Sequence, residues 1–201
     1  MTEKPILTEG AVALVTGARA LSARGVRVIC AARRLERLRV LADDLPAPAL
    51  AFELDIADGG QVDDLLLRLP EEWRVIDILI NNAGHDLGGR QVFQKREADD
   101  VAATIQTNVT GLMRTTLAIL PGMRERGRGH IVNMGSSSGL EWTARHSVYV
   151  ASKFAVHGFT NSLRQELQGT GVRLTEIMPG LVRTEFAAAR WRGDEERAEE
   201  F

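Results

Sequence analysis

A chain of 201 residues, 44% of them hydrophobic and 26% charged, has interior enough to bury one full sheet in a single compact domain. Its formal net charge of −2 gives no electrostatic reason to expect nucleic acid or an anionic membrane surface as a partner. The one cysteine, Cys30, excludes an intrachain disulfide and suits a reducing compartment.

The chain opens with Met1-Thr2-Glu3-Lys4-Pro5, which lacks the basic-then-apolar layout of a secretory signal. Six short, almost continuously apolar runs follow, at residues 11–15, 26–32, 50–54, 76–80, 130–134 and 172–178. Runs of that length and composition predict strands covered on both faces. Cys30 falls within the second, as a small buried apolar residue. Segments of helical period alternate with the strands, at residues 35–45, 59–69, 98–126 and 147–169. Leu35, Leu38 and Leu41 share one helical face; Leu112, Thr116, Leu120 and Met123 share another. This alternation predicts an α/β fold, a doubly wound Rossmann parallel sheet in a three-layer α/β/α sandwich. No stretch approaches the apolar length of a membrane span, so a cytoplasmic protein without a membrane partner is expected.

Two places break the pattern. Only Ala18 to Gly25 separate the turn after the first strand from the second strand, whereas a parallel crossover takes about a dozen residues or more. At the other end, Gly193 to Phe201 reads as a helix begun and not finished. The expectation is one domain over residues 1–201 whose first crossover and C-terminal segment are incomplete.

Several motifs carry chemistry. Thr16-Gly17-Ala18 closes the first strand, where glycine lets a backbone approach a pyrophosphate at a helix N-terminus. The second strand ends in Arg33-Arg34, with no carboxylate before Glu36. In a dinucleotide fold this favours the 2′-phosphate of NADP, although two arginines opening a solvated helix would look the same. Asp55, with the backbone of Ile56, follows the third strand where an adenine ring would lie. Asn81-Asn82-Ala83-Gly84 closes the fourth, its small residues allowing close approach and its amides tying neighbours together.

The sharpest signal is Tyr149-Val150-Ala151-Ser152-Lys153. It sets the chain's single tyrosine four residues before one of three lysines, on one face of a helix. Chance places a lysine there only about once or twice in a hundred. Ser136 lies thirteen residues upstream of Tyr149, just past the fifth strand. The four histidines, His85, His130, His146 and His157, show no metal-ligand spacing, so no metal is expected and they read as surface or pocket-rim residues.

These residues, with Asn108 in Thr107-Asn108-Val109 and Pro179-Gly180-Leu181-Val182-Arg183-Thr184, resemble the short-chain dehydrogenase/reductase family almost end to end. The departure is the glycine-rich loop, since the two further glycines usual after Thr-Gly are absent. The resemblance implies an NADP(H)-dependent oxidoreductase acting on an alcohol/carbonyl substrate. Within it Tyr149 is the general acid/base, Lys153 its electrostatic partner and ribose ligand, and Ser136 the donor to the substrate oxygen. Asn108 then binds a water linking Lys153 to solvent. Thr16, Gly17, Arg33, Arg34, Asp55, Ile56, Asn82, Ala83, Gly84, Pro179, Gly180, Val182 and Thr184 line the cofactor, together with Tyr149 and Lys153. Residues 69–73, 76–80, 180–186 and 190–194 look like the branch acting on serine and related 3-hydroxy acids. Such substrates bring a carboxylate, for which Arg183, Arg190 and Arg192 are candidate cations; Trp142, Arg145 and His146 are candidate pocket lining. The family also implies a homodimer or homotetramer built on the long helices. A non-catalytic NADP sensor or scaffold is the alternative that the shortened first crossover supports.

Overall fold

The computed structural model describes residues 10–15 and 19–181. It contains six parallel strands: β1 (Val12–Val15), β2 (Arg27–Ala32), β3 (Ala49–Glu53), β4 (Ile78–Asn81), β5 (Gly129–Met134) and β6 (Val172–Ile177). Their order in the sheet is β3-β2-β1-β4-β5-β6, and every neighbouring pair is parallel. The chain therefore winds outward in both directions from β1 and β4, which makes their junction the switch point of a doubly wound sheet. The expected α/β architecture is present.

Side chains alternate between two buried faces, as a sheet covered on both sides requires. Val12 and Leu14 of β1 join a cluster with Ile119, Met123 and Leu163. Ala13 and Val15 join another with Val28, Cys30 and Leu38. The helices supplying these contacts are α2 (Leu35–Asp43), α6 (Leu112–Glu125) and α7 (Ser147–Glu166). Cys30 is buried, as its place in β2 led one to expect.

The connection from β1 to β2 contains a single helical turn, α1 (Arg19–Ser22), then a tight turn closed by Gly25 at φ 75. Arg27 still pairs opposite Val12. Two expected helices are interrupted. Residues 59–69 divide into α3 (Gly59–Asp63) and α4 (Leu65–Arg68). Residues 98–126 divide into α5 (Ala98–Ile105) and α6, with a π-helical turn, Gln106–Gly111, between them. Such turns widen the backbone and re-aim side chains; this one carries Asn108.

A ladder of buried amides joins the layers. Asn81 on β4 donates to Thr116 Oγ1 and to Asn133 Oδ1, each at 2.9 Å. Asn133 on β5 donates onward to Thr160 Oγ1 of α7 at 2.9 Å. Each of these four buried side chains thereby finds a partner, and α6, β4, β5 and α7 are held in one register.

Gly111 closes the π-helical turn against the loop after β3, where a Cβ would stand 2.5 Å from the Ile56 carbonyl oxygen. Backbone on both sides leaves no flexible group to yield. Gly111→Ala should lower the unfolding free energy by roughly 1–3 kcal/mol, read by urea denaturation; an unchanged midpoint would mean that the helix moves away from Ile56 at little cost.

Candidate active site

At the β1–β4 junction the carboxyl ends of the strands leave a cleft lined by Leu14, Ala31, Leu54, Ile56, Asn82 and Ala83. It is largely apolar, and it lies where open α/β sheets receive nucleotides. Arg33 and Arg34 follow β2 at its rim, both exposed. Burial, and then the charge of Arg33, push the His85 imidazole below the usual histidine range, so the β2 end and the loop after β4 lie close together. Asp55 turns its carboxylate onto the Ala57 N–H at 2.9 Å, fixing the loop that carries Ile56. An aromatic base in the cleft and a phosphorylated ribose by the arginines fit this surface.

The second half of the site gathers around Lys153. Its side chain is buried, and Nζ donates to the Met134 carbonyl oxygen at the end of β5, 2.8 Å away. Burial brings its pKa down from 10.5 to about 8, opposed by the charge of Glu176. Tyr149, one helical turn before it, is 9% exposed, with its ring centroid 5.6 Å from Nζ. Ser136, two residues beyond Met134, is buried too. Its Oγ accepts from the Ser138 N–H at 3.1 Å, which leaves the hydroxyl hydrogen to be donated elsewhere. The turn after Ser136 packs on α7, with Gly139 against the Lys153 backbone, and the Ser137 N–H donates to the Pro179 carbonyl at 3.0 Å.

Gly84 closes the ring of contacts. A Cβ there would stand 3.1 Å from Asn108 Oδ1 and 4.0 Å from Lys153 Nζ, so a larger residue would press on the Asn108 amide. Asn108 holds that loop at both ends of His85, accepting from its N–H at 2.9 Å and donating to its carbonyl at 2.8 Å. It also donates to Ser152 Oγ at 3.1 Å. Ser136, Tyr149, Lys153, Asn108, Gly84 and Pro179 thus come to one edge of the sheet. Trp142 lies outside this cluster, 84% exposed and stacked on Phe154 with centroids 6.5 Å apart. Thr16, Gly17, Val182, Arg183, Thr184, Arg190 and Arg192 lie outside the described residues.

One expectation is corrected. His146 is not a surface or pocket-rim residue: it is buried, its Nε2 lies 2.9 Å from Asp86 Oδ2, and its ring stacks on Tyr149 at 4.8 Å between centroids. Asp86, wholly buried, also faces Arg96 at 3.7 Å. Sequence reasoning passed over Asp86 and Arg96 because charged residues in a glycine-containing loop read as solvated; only the fold buries them. Among the described residues no group of His, Cys, Asp and Glu could hold a metal ion, and no helix is long and apolar enough to cross a membrane.

Residues 12–195 match the family model described as short chain dehydrogenase. The chain is 43% identical over 197 residues to the NADP-dependent 3-hydroxy acid dehydrogenase YdfG of Salmonella typhi, covering 93% of this chain and 79% of that protein. It is 39% identical over 178 residues to the NADP-dependent 3-hydroxy acid dehydrogenase of Schizosaccharomyces pombe, covering 87% and 68%. Among solved structures, the closed form of serine dehydrogenase complexed with NADP+ aligns with a TM-score of 0.86 at 40% identity, covering 94% of this chain and 80% of that one. Serine dehydrogenase from Escherichia coli aligns at 0.81 and 41% identity, covering 86% and 83%.

The lowered Lys153 pKa has a thermodynamic signature. Between about pH 8 and 10.5 the unfolded chain binds more protons at this residue than the folded one, so its contribution to stability rises with pH. One pKa unit corresponds to about 1.4 kcal/mol. The unfolding free energy of the ligand-free protein, relative to Lys153→Met, should therefore increase by on the order of 2–3 kcal/mol from pH 8 to pH 10. A difference flat across that range would mean that burial does not disfavour this ammonium.

Proposed function

Because the chain belongs to the short-chain dehydrogenase family, we propose that it is an NADP(H)-dependent oxidoreductase interconverting an alcohol and a carbonyl compound. The observation that carries this reading is the buried Lys153 ammonium beside Tyr149 at the end of β5. Bound NADP(H) supplies or accepts the hydride, and the chain's own residues hold the geometry and move the proton.

Tyr149 exchanges the proton at its phenolic oxygen. An unperturbed phenol titrates near pH 10, too high for efficient transfer near neutrality. A cation one helical turn away favours the phenolate, which is the role of Lys153. Ser136, its oxygen already accepting from Ser138, donates its hydrogen to the substrate oxygen and orients it. Asn108 fixes the Gly84–His85 loop and, by family likeness, holds the water that links Lys153 to solvent.

Asp55 and Ile56 would hold the adenine of the cofactor, Arg33 and Arg34 its 2′-phosphate, and Asn82, Ala83, Gly84, Tyr149 and Lys153 its ribose and nicotinamide. Thr16, Gly17, Pro179, Gly180, Val182 and Thr184 complete this set by likeness to the family. The substrate is a small 3-hydroxy acid such as serine. Its carboxylate is met by Arg183 or Arg190, with Trp142 at the mouth of the pocket. The protein is cytoplasmic and pairs with further copies of itself; Leu117 and Phe154 on the long helices are exposed and available for that contact.

Tyr149→Phe keeps the ring and removes the proton-transferring oxygen. Turnover of L-serine or 3-hydroxypropanoate with NADP+ should fall by roughly 10²–10⁴ while NADPH binding, followed by fluorescence titration, persists. Retained turnover would eliminate the assignment, and equal kcat/KM for these acids and a neutral alcohol of the same length would eliminate the carboxylate requirement.

A further inference from the structure

Tyr149 has a second neighbour on its own helix face. His146, Tyr149 and Lys153 are spaced three and four apart, so the phenol lies between an imidazole on its N-terminal side and an ammonium on its C-terminal side. The imidazole stacks on the phenol with the two rings 20° from parallel.

The backbone is arranged at some cost to place that imidazole. His146 is the N-cap of α7, a position where Ser, Thr, Asp or Asn would satisfy the first free amides, yet its side chain makes no capping bond. Arg145 before it has φ 65, the one positive value at a non-glycine position among the described residues. Strain of this kind persists only where the surroundings enforce it. Here the Gln91 N–H holds the Arg145 carbonyl at 3.0 Å.

The imidazole is held from the other side by a rigid loop. Asp86 Oδ2 accepts from His146 Nε2 at 2.9 Å with both groups buried. A carboxylate only accepts, so the hydrogen sits on Nε2 and the ring orientation is fixed. Arg96, itself buried, faces Asp86 and laces the same loop by donating to the Leu87 and Gly89 carbonyls at 3.0 and 2.6 Å. Other charged or titratable groups face this cluster: His85 in the loop, Asp100 on α5 beside Gly88 and Arg96, Arg145 just before α7, and Lys153 within it.

We propose that His146, oriented by Asp86, is a positioning residue that fixes the plane of the Tyr149 phenol. The inference rests on Tyr149 being the proton-transfer group. Asp86 acts on Tyr149 only through His146, and Arg96 keeps the loop that presents Asp86 in place. A misplacement of about 1 Å at a reacting group can cost on the order of 10²-fold in rate, so a clamp on the ring is felt in turnover and not in cofactor binding.

The test is a double-mutant cycle on the full chain, with kcat and KM measured for L-serine and NADP+ and thermal midpoints followed in parallel. His146→Gln, which keeps a donor and loses the ring, should lower kcat about tenfold with the KM for NADP+ changed less than about twofold. His146→Phe, which keeps a ring in the stack, should recover most of that loss. Asp86→Asn should lower kcat several-fold in the native background and have no further effect when combined with His146→Phe.

Turnover of His146→Gln within about twofold of the native value would overturn the proposal. So would an equal Asp86→Asn effect in both backgrounds, because Asp86 would then act by another route. If His146→Gln does not fold, the Asp86→Asn pair still decides. Full activity in Tyr149→Phe marks failure of the underlying reading; an inactive Tyr149→Phe with an unaffected His146→Gln marks failure of this inference alone.

Discussion

The burial of one ammonium governs the site. Lys153 lies inside the protein at the carboxyl edge of the sheet, with the Met134 carbonyl as its hydrogen-bond partner. Desolvating a charge costs several kcal/mol unless polar groups offset it, and here the offset is only partial, as the lowered pKa records. The partner that can supply the rest is an anion next to it. On the proposed reading Tyr149, whose ring centroid lies 5.6 Å from Nζ, supplies that anion during proton transfer.

The remainder of the fold serves to keep this pair where it is. The amide ladder from Thr116 through Asn81 and Asn133 to Thr160 holds β5 and α7 in fixed register, and so holds Met134 against Lys153. Gly84 and Asn108 bring the loop after β4 beside the ammonium, and Asn108 reaches it from the π-helical turn. The cleft by Leu14, Ala31 and Ile56 lies at the same switch point. The cleft and Lys153 thus share the carboxyl edge of one sheet, where a nucleotide would be held.

Much of this was legible in the sequence because the governing signals are local. The six strands follow from apolar runs, and their boundaries agree within two residues. Tyr149 and Lys153 declare themselves by helical spacing, and Asn82-Ala83-Gly84 by residue size. The failures share a physical cause. The break in residues 98–126 arises where Gly111 meets Ile56, residues far apart in sequence, so helical periodicity gives no warning of it. His146 reads as a surface or pocket-rim residue, and Asp86 and Arg96 give no signal, because nothing in a linear pattern says that a loop will fold over them. It is the tertiary fold that brings His146, at the start of α7, and Arg96 onto the Asp86 carboxylate. The resemblance to a family supplied roles for Ser136 and Asn108 that spacing could not.

Tyr149 is the only tyrosine in the chain, so the ultraviolet absorbance of tyrosinate reports this one group. A pH titration of that signal, in the native protein and in Lys153→Met with NADP+ bound to both, tests the pairing directly. If Lys153 stabilises the phenolate, tyrosinate forms at lower pH in the native protein than in the variant. Superimposable curves would contradict the account, because the buried ammonium would then have no hold on the phenol beside it.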